Sequence, residues 1–251
     1  AIETALLGNT PHIVDSLDQT PISITTYDEI INVGDKEKVK SGLGEIKVVE
    51  SKTYSDPDTA KSVALTLEPG ETAIYDLGQN MVGVPQVTLK GKAGTKVRIR
   101  FAEMLNDDSV PDGDKGADGP KGTLYLKNLR GAQATATYIL KGDAAGEICQ
   151  PTMTFFGYRY MEVSILEGND PITVSNVKGK VVTSAIDRTG YIETSDEYVN
   201  KLYSNQIWGM RGNFLSIPTD CPQRNERCGW TGDSQLFSNT ALYNMNTFLF
   251  L

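Results

Sequence analysis

The sequence predicts a mainly β protein, an antiparallel β-sandwich or jelly roll, followed by helices. Between residues 62 and 183, short segments that alternate apolar and polar residues are separated by turns rich in Gly and Pro. After residue 186 the apolar residues recur with the period of a helix. The chain has 251 residues, 39% of them hydrophobic, which is enough to bury a core. Many short strands with regular turns favour a sandwich over a βαβ fold.

The strand signal is clearest at residues 96–102, which read KVRIRFA. Before residue 50 the pattern is weaker, with short β-rich pieces at 22–27 and 46–49. Residues 78–80, GQN, predict a turn between two strands. From residue 62 onward the predicted strands are 62–67, 72–77, 86–90, 96–102, 122–126, 134–140, 159–166 and 172–183.

The first predicted helix begins at a capping box. Thr194 is expected to be the N-cap, and Glu197 is expected to reach back to it. Apolar residues at helical spacing follow, and we interpret this stripe as core. Pro218 is expected to stop the helix. The stripe consists of Val199, Leu202, Gln206, Met210 and Phe214.

A second helical pattern begins near Asp233 and continues to Leu251. It ends on FLFL, with no cap, no glycine and no polar tail, so we expect the chain to be truncated within a helical domain. The expected organisation is a β-rich segment (1–50), a β-sandwich domain (51–185) and the start of a truncated helical domain (186–251).

Charge argues against two classes of partner. The formal net charge is −8 and the pI is about 4.8, whereas binding to nucleic acid or to an anionic membrane requires a basic face. No apolar run approaches the roughly 20 residues that span a bilayer. We therefore expect neither a nucleic acid nor a membrane as partner, and the sequence does not define an oligomeric state.

Histidine and cysteine content restricts the chemistry. His12 is the single histidine, so a Ser-His-Asp triad or a multi-histidine zinc site would have to include it. Its turn-like setting is more typical of a surface residue, and hydrolytic chemistry should therefore rest on carboxylates. The three cysteines are an odd number without CxxC spacing, so free thiols are expected. They are Cys149, Cys221 and Cys228.

An acidic segment at residues 106–122 suggests a calcium loop, but the pattern fails. Counted from Asp112, an EF-hand loop would need a glutamate at its twelfth position, where Thr123 stands. Asp114 and Asp118 are then residues of a solvated hairpin loop. We expect no metal and no cofactor.

The side chains best suited to catalysis or sugar binding are concentrated in residues 220–233, which read DCPQRNERCGWTGD. This stretch holds three carboxylates, two arginines, a glutamine and a tryptophan, which is the mixture that a neutral sugar site needs. Carboxylates accept hydrogen bonds from vicinal hydroxyls, Arg and Gln donate them, and Trp offers an apolar face to a pyranose ring. Glycosidic cleavage adds a protonated carboxylic acid that donates to the leaving oxygen.

Glu226 is the candidate acid because it lies between Asp220 and Asp233 in sequence. Nearby negative charge would raise its pKa, whereas Arg224 and Arg227 would lower it if they faced the carboxyl group. Each residue also has a structural explanation by itself, such as a helix cap, a surface ion pair or a core tryptophan. Taken as one cluster, these residues favour a functional site.

The stretch 215–235, LSIPTDCPQRNERCGWTGDSQ, resembles the signature of the bacterial α-L-rhamnosidases. Residues 75–83 (YDLGQNMVG), 101–103 (FAE) and 155–160 (FFGYRY) resemble the β-domain of that family. The resemblance covers roughly residues 70 to 251. It implies a β-sandwich followed by the first helices of a six-hairpin α/α barrel that is truncated here.

The resemblance also implies roles. Glu226 would be the general acid of an inverting glycosidase. Asp220 and Asp233 would bind the rhamnose hydroxyls, Trp230 would line the sugar pocket, and Arg224 lies within the same motif. An inverting enzyme needs a second carboxylate, roughly 6.5–9.5 Å from the acid, to activate water. The resemblance places that residue beyond residue 251, so the chain by itself is expected to be inactive.

The expected function is hydrolysis of terminal α-L-rhamnosyl bonds with inversion in a longer parent protein, acting on a rhamnose-containing oligosaccharide or glycoside. Two departures from the family pattern affect the pocket: Asn225 replaces the usual Asp, and Cys228 replaces an aliphatic residue. One alternative is a carbohydrate-binding or interdomain sandwich module without catalysis. Another is an α/α-barrel glycosidase of different sugar specificity, which Asn225 leaves open.

Overall fold

The computed structural model describes residues 13–30, 46–47, 52–107, 118–226 and 229–251. Within these residues the chain is mainly antiparallel β-sheet followed by helices, which confirms the predicted fold class. No helix in this part of the chain is long and apolar enough to cross a membrane. The predicted features that fall outside the described residues are His12, Asp112, Asp114, Arg227 and Cys228.

The elements are numbered in chain order. The strands are β1 (Ile13–Gln19), β2 (Ser23–Tyr27), β3 (Glu29–Ile30), β4 (Ile46–Lys47), β5 (Thr53–Tyr54), β6 (Leu65–Leu67), β7 (Thr72–Lys90), β8 (Lys96–Ala102), β9 (Thr135–Ile139), β10 (Glu147–Cys149), β11 (Phe156–Glu167), β12 (Ile172–Ser184), β13 (Phe214–Leu215) and β14 (Ile217–Pro218). The helices are α1 (Pro57–Ser62), α2 (Glu197–Asn213) and α3 (Thr231–Asn244), with a 3₁₀ turn at Lys127–Leu129.

Strand β7 is the centre of the sandwich. Its first half lies between β2 and β11, and its second half lies between β12 and β10. It is therefore shared by two groups of strands, β5-β2-β7-β11-β8-β9 and β1-β12-β7-β10. The predicted turn at residues 78–80 is wrong, because the backbone there continues within β7. The pairing of β7 with β11 shifts register between Asp76 and Met81, so Gly78 marks a β-bulge and not a turn.

Side chains from both groups of strands form one core. Phe101 of β8 is fully buried, and its ring centroid lies 4.1 Å from that of Phe156 and 4.8 Å from that of Tyr158, both on β11. Val87 of β7 and Val174 of β12 are fully buried in the same cluster. Burial of each such side chain stabilises the fold by roughly 1.5–3 kcal/mol.

The opposite face of β8 carries a buried ion pair. The guanidinium of Arg100 donates to both carboxylate oxygens of Glu162, with Nε–Oε1 at 2.7 Å and Nη2–Oε2 at 2.8 Å. Removal of either partner would leave a buried charge, which typically costs 3–5 kcal/mol. This pair fixes the alignment of β8 with β11.

The predicted strand at residues 122–126 is wrong. Only Leu124 bridges to another segment, at Leu105. The Asn106 side chain holds this loop instead, since its Nδ2 donates to the Thr123 hydroxyl (2.9 Å) and to the Leu124 carbonyl (3.1 Å). Backbone hydrogen bonds also join the two segments, from the Asn106 N–H to the Thr123 carbonyl (2.7 Å) and from the Tyr125 N–H to the Met104 carbonyl (3.0 Å), but they do not form a continuous ladder.

The caps of α2 differ from the prediction. Asp196, and not Thr194, is the N-cap, because its Oδ1 accepts from the backbone N–H of Tyr198 (2.8 Å) and of Val199 (3.3 Å). The Thr194 hydroxyl accepts from the Asp196 N–H. The helix ends at Asn213, before Pro218, because the chain enters the short hairpin of β13 and β14.

The prediction that the second helix continues to Leu251 is also wrong. Helix α3 ends at Asn244, where residues 187–190, which precede α2, form hydrogen bonds with the end of the helix. The Gly190 N–H donates to the Asn244 carbonyl, and the Asn246 N–H donates to the Asp187 carbonyl. Tertiary hydrogen bonds have replaced further helical turns.

The helices are seated on one side of the sandwich. The Thr183 hydroxyl of β12 donates to the Arg211 carbonyl of α2 at 2.9 Å, and the Ser216 N–H donates to the Ser184 hydroxyl at 3.0 Å. Gly212 of α2 lies so close to β7 that a Cβ there would be 2.8 Å from the Val82 side chain. This contact fixes the position of the chain that follows α2.

Candidate active site

The segment between α2 and α3 forms a closed loop. The Thr219 N–H donates to the Asn213 carbonyl (2.9 Å) at one end, and the Trp230 N–H donates to the Pro218 carbonyl (3.0 Å) at the other. We call residues 219–230 the site loop; its residues 227 and 228 are not described. Both ends of the loop are thereby anchored to the end of α2 and to the β13–β14 hairpin.

The carboxylate of Glu226 organises the site loop. Oε2 accepts from the backbone N–H of Asp220 (3.1 Å) and of Cys221 (2.9 Å), and Oε1 accepts from the indole Nε1–H of Trp230 (2.9 Å). Three N–H donors stabilise the ionised form of a carboxylate. Glu226 therefore joins the beginning and the end of the loop through its side chain.

Asp220 and Arg224 meet at the thiol of Cys221. The Cys221 Sγ donates to Asp220 Oδ2 at 3.1 Å, and the Arg224 Nη2 donates to the same sulfur at 3.1 Å. Burial and the neighbouring Asp220 raise the pKa of the Cys221 thiol, against the opposing effect of Arg224. The guanidinium of Arg224 also donates to the Asn225 carbonyl, so it is held within the loop.

The cysteines of the described chain are free thiols, as expected for Cys149 and Cys221. Cys149 lies in the sandwich core, where burial raises its pKa to about 11. Cys221 is half-buried in the site loop.

A cavity of about 530 Å³ opens between α2, the site loop and the first turns of α3. We call it the first cavity. Asp220, Trp230 and Asp233 all line it, as does the apolar pair Met210 and Phe214. Trp230 is 40% exposed, so part of its side chain is accessible to a ligand. The first cavity thus combines two carboxylates with an aromatic face.

The structure brings together three of the five predicted site residues in the first cavity, namely Asp220, Trp230 and Asp233. Glu226 does not line the cavity and lies one hydrogen bond away from it, through Trp230. Arg224 is not part of the cavity wall either.

The sequence analysis missed several polar residues of this wall. Gln206 was assigned to the core stripe of α2, yet its side chain faces the cavity; a polar residue within an apolar stripe was the signal. Asn213 and Thr219 line the cavity too, and no sequence pattern indicated them. The stripe is core at Met210, whereas Leu202 is 69% exposed.

Two family models match the chain. The model of the bacterial alpha-L-rhamnosidase concanavalin-like domain matches residues 66–183, and that of the bacterial alpha-L-rhamnosidase six-hairpin glycosidase domain matches residues 187–251. Together they cover strands β7 to β14, helices α2 and α3 and the site loop.

Individual relatives agree with these models. An alpha-L-rhamnosidase of Streptomyces avermitilis is 48% identical over 178 residues, which is 71% of this chain and 16% of that protein. An alpha-L-rhamnosidase of Formosa agariphila is 43% identical over 180 residues, which is 72% of this chain and 18% of that protein. The chain thus spans less than a fifth of the length of these curated relatives.

Solved structures show the same similarity. The crystal structure of Streptomyces avermitilis alpha-L-rhamnosidase complexed with L-rhamnose superposes with a TM-score of 0.66 at 34% identity, covering 96% of this chain and 18% of that one. The alpha-L-rhamnosidase of Aspergillus terreus gives a TM-score of 0.61 at 28% identity, covering 94% and 21%. By sequence and by fold, the chain belongs to the bacterial α-L-rhamnosidase family.

Proposed function

We propose that this chain is part of an enzyme that hydrolyses terminal α-L-rhamnosyl bonds with inversion of configuration, and that Glu226 is the general acid. One observation carries the proposal: the carboxyl group of Glu226 is hydrogen-bonded to Trp230, whose indole shares a cavity with Asp220 and Asp233. An acid, an aromatic face and two carboxylates thus converge within the site loop and its immediate neighbours.

The chemistry of the first cavity suits a neutral sugar. Asp220 and Asp233 offer oxygens that accept hydrogen bonds from vicinal hydroxyls, and the Trp230 face can cover the apolar side of a 6-deoxy sugar. The volume of about 530 Å³ lies within the roughly 300–1,000 Å³ of small-molecule sites. Rhamnose, the sugar bound in the Streptomyces avermitilis structure, fits this description.

Proton donation requires Glu226 to be protonated when the substrate is bound. Oε2 accepts from two backbone N–H groups, whereas Oε1 accepts from the Trp230 side chain. We assign the donated proton to Oε1, the oxygen whose hydrogen-bond partner is a side chain of the cavity wall and not the backbone.

The proposal includes a second carboxylate that activates water, placed by the family resemblance outside residues 1–251. The 251-residue chain is therefore expected to show no turnover of an aryl rhamnoside, whereas the longer parent enzyme hydrolyses it. Product analysis by NMR would show release of β-L-rhamnose if the reaction inverts. Release of the α-anomer as first product would contradict the inverting mechanism.

The decisive experiment replaces Glu226 by Gln in the parent enzyme. Loss of a general acid typically lowers the rate about 10²- to 10⁴-fold. The loss should be larger for a rhamnosyl disaccharide than for 4-nitrophenyl α-L-rhamnoside, because nitrophenolate leaves without protonation. Glu193→Gln, at an exposed glutamate before α2, is the matched control. Near-normal turnover of both substrates by a folded Glu226→Gln enzyme would contradict the assignment.

Two further measurements address the alternative functions. In calorimetry with L-rhamnose, binding that survives deletion of everything after residue 185 would support a sugar-binding sandwich module. A panel of aryl glycosides on the parent enzyme would reveal a different sugar specificity, since the preferred glycoside would then not be the rhamnoside.

A further inference from the structure

A cavity of about 310 Å³ lies where the sandwich meets the helical region. Its walls come from β1, the end of β12, residues 185–188 before α2, the end of α2 and the chain after α3. We call it the arginine cavity, because Arg188 and Arg211 both line it. Among the described residues it shares Phe214 alone with the first cavity and none with the site loop, so it lies outside the proposed rhamnose pocket.

Both guanidinium groups have N–H donors without an acceptor in the described part of the chain. Arg188 donates its Nε–H to the Gly190 carbonyl at 3.0 Å, and its guanidinium carbon lies 4.3 Å from the centroid of the Tyr191 ring. The guanidinium carbon of Arg211 lies 5.1 Å from the centroid of the Trp208 ring. An aromatic contact uses the flat face of a guanidinium, so the N–H groups in its plane stay able to donate.

The arginine cavity carries a net positive charge. Burial and the nearby positive charge of Arg188 lower the pKa of Arg211, so the two groups are close enough to repel each other. Arginine nonetheless stays protonated at neutral pH. Exposed Asp187 also lines the cavity, but it forms no ion pair with either arginine in the described chain. Two positive charges thus stand against one carboxylate, and a bound anion would relieve their repulsion.

A buried hydroxyl group adds a neutral donor to the same wall. Ser184 lines the arginine cavity and is 2% exposed. Its Oγ accepts from the Ser216 N–H at 3.0 Å, and among the described residues its own O–H has no acceptor. A buried donor without an acceptor is destabilising unless a ligand or a water accepts from it. The cavity volume is at the small end of the range for ligand sites, which suits a group of a few atoms.

We propose that the arginine cavity binds a small oxyanion, a phosphate or a carboxylate group, through Arg188, Arg211 and the Ser184 hydroxyl. A guanidinium presents paired N–H groups whose spacing matches the oxygens of both kinds of group. The bound anion connects the segment before α2 with the end of α2, where the Asn213 carbonyl anchors the site loop. This inference uses none of the residues of the proposed function, so the two can fail separately.

Thermal unfolding of the 251-residue chain tests the site, with sodium phosphate compared to sodium chloride at equal ionic strength. At ten times the Kd for phosphate, Tm should rise by about 3–6 °C. Arg188→Gln and Arg211→Gln should each lose most of this rise, and either variant decides if circular dichroism shows it folded. Lys201→Gln, at an exposed lysine of α2, removes one positive charge elsewhere and should keep the rise. An equal rise in the arginine variants would show general cosolute stabilisation and overturn the site.

Calorimetry measures the binding itself and distinguishes two sources of the anion. Titration of phosphate into the 251-residue chain should show one site per chain, and Arg211→Gln should weaken it at least tenfold. Saturable binding to the longer parent protein as well would identify a free anion as the ligand. Binding to the 251-residue chain alone would show that an acidic side chain of the parent occupies the site. No saturable binding of phosphate to the 251-residue chain would overturn the proposal.

Discussion

The sandwich and the helical region differ in how each is stabilised. Among the described residues, the main sandwich cluster holds 22 buried hydrophobic residues, most of them from the two strand groups. The cluster between α2 and α3 holds five: Ile207, Met210, Phe214, Ala241 and Met245. Apolar side chains on the helices remain open to solvent, such as Leu236, which is 88% exposed. The sandwich thus has a core of its own, whereas the helical region depends on the sandwich for support.

The contacts between the sandwich and the helical region show how the site loop is positioned. Gly157 of β11 is buried against the site loop, and a Cβ there would lie 2.7 Å from the Gln223 Cα. The loop that carries Glu226 therefore rests directly on the sandwich. The main core lies on the sandwich side of this contact, and the proposed site residues lie on the loop side. Substitutions on the sandwich side should therefore mainly change stability, and substitutions on the loop side should mainly change activity.

The largest effect is expected from the sandwich core. Phe101→Ala removes a fully buried ring and should lower the free energy of unfolding by about 3–5 kcal/mol. Phe248→Ala is the matched control in the helical region, because Phe248 is 80% exposed and its loss should change stability by less than about 0.5 kcal/mol. Urea unfolding of the 251-residue chain measures both. Similar decreases in the free energy of unfolding for the two variants would contradict the conclusion that the sandwich holds the main core.

A smaller effect on stability, but a clear one on activity, is expected at the contact. Gly157→Ala forces the backbone of the site loop to move and should cost about 1–3 kcal/mol. In the proposed parent enzyme kcat/KM for an aryl rhamnoside should fall about 10- to 100-fold, because Glu226, the proposed acid, is displaced. Gly131→Ala is the control, since nothing lies within 4 Å of its new Cβ. Full activity in Gly157→Ala would show that the sandwich does not position the loop.

The smallest effect is expected at the cap of α2. Asp196→Ala removes an acceptor from two backbone N–H groups and should cost about 1 kcal/mol. Glu197→Ala should cost only a few tenths, because its contribution is limited to the helix dipole. Both tryptophans, Trp208 and Trp230, lie in the helical region, so their fluorescence reports on it while circular dichroism reports mainly on the strands. A larger shift of the strand signal than of the fluorescence would contradict a local effect of the cap on the helical region.

Much of the fold was predictable because strand alternation is a local pattern. Lys96–Ala102 is confirmed residue for residue, and its alternating residues Val97, Ile99 and Phe101 lie in the main core. The turn predicted at residues 78–80 failed because a bulge within a long strand and a turn share the same glycine signal. The predicted end of α3 was wrong for another reason, because the hydrogen bonds at the end of the helix involve Asp187 and Gly190, which are far away in sequence.

The composition of the site was predictable, but its arrangement was not. A sugar-type mixture in residues 220–233 indicated Asp220, Trp230 and Asp233, which the structure gathers around one cavity. No local pattern shows that Glu226 turns inward to Trp230, or that Gln206 of α2 faces the same cavity. Those relations depend on how α2 and α3 close over the loop.

The sequence alone determined that this is a mainly β chain and that carboxylates are concentrated in residues 220–233, because residue types and their period are properties of short segments. Only the tertiary structure decided which carboxylate is clamped by N–H donors, which ones face the cavity, and that β11 supports the site loop. Hydrogen bonding and close approach depend on distances between segments far apart in the chain. Such distances are set when the whole core packs, and no single segment encodes them.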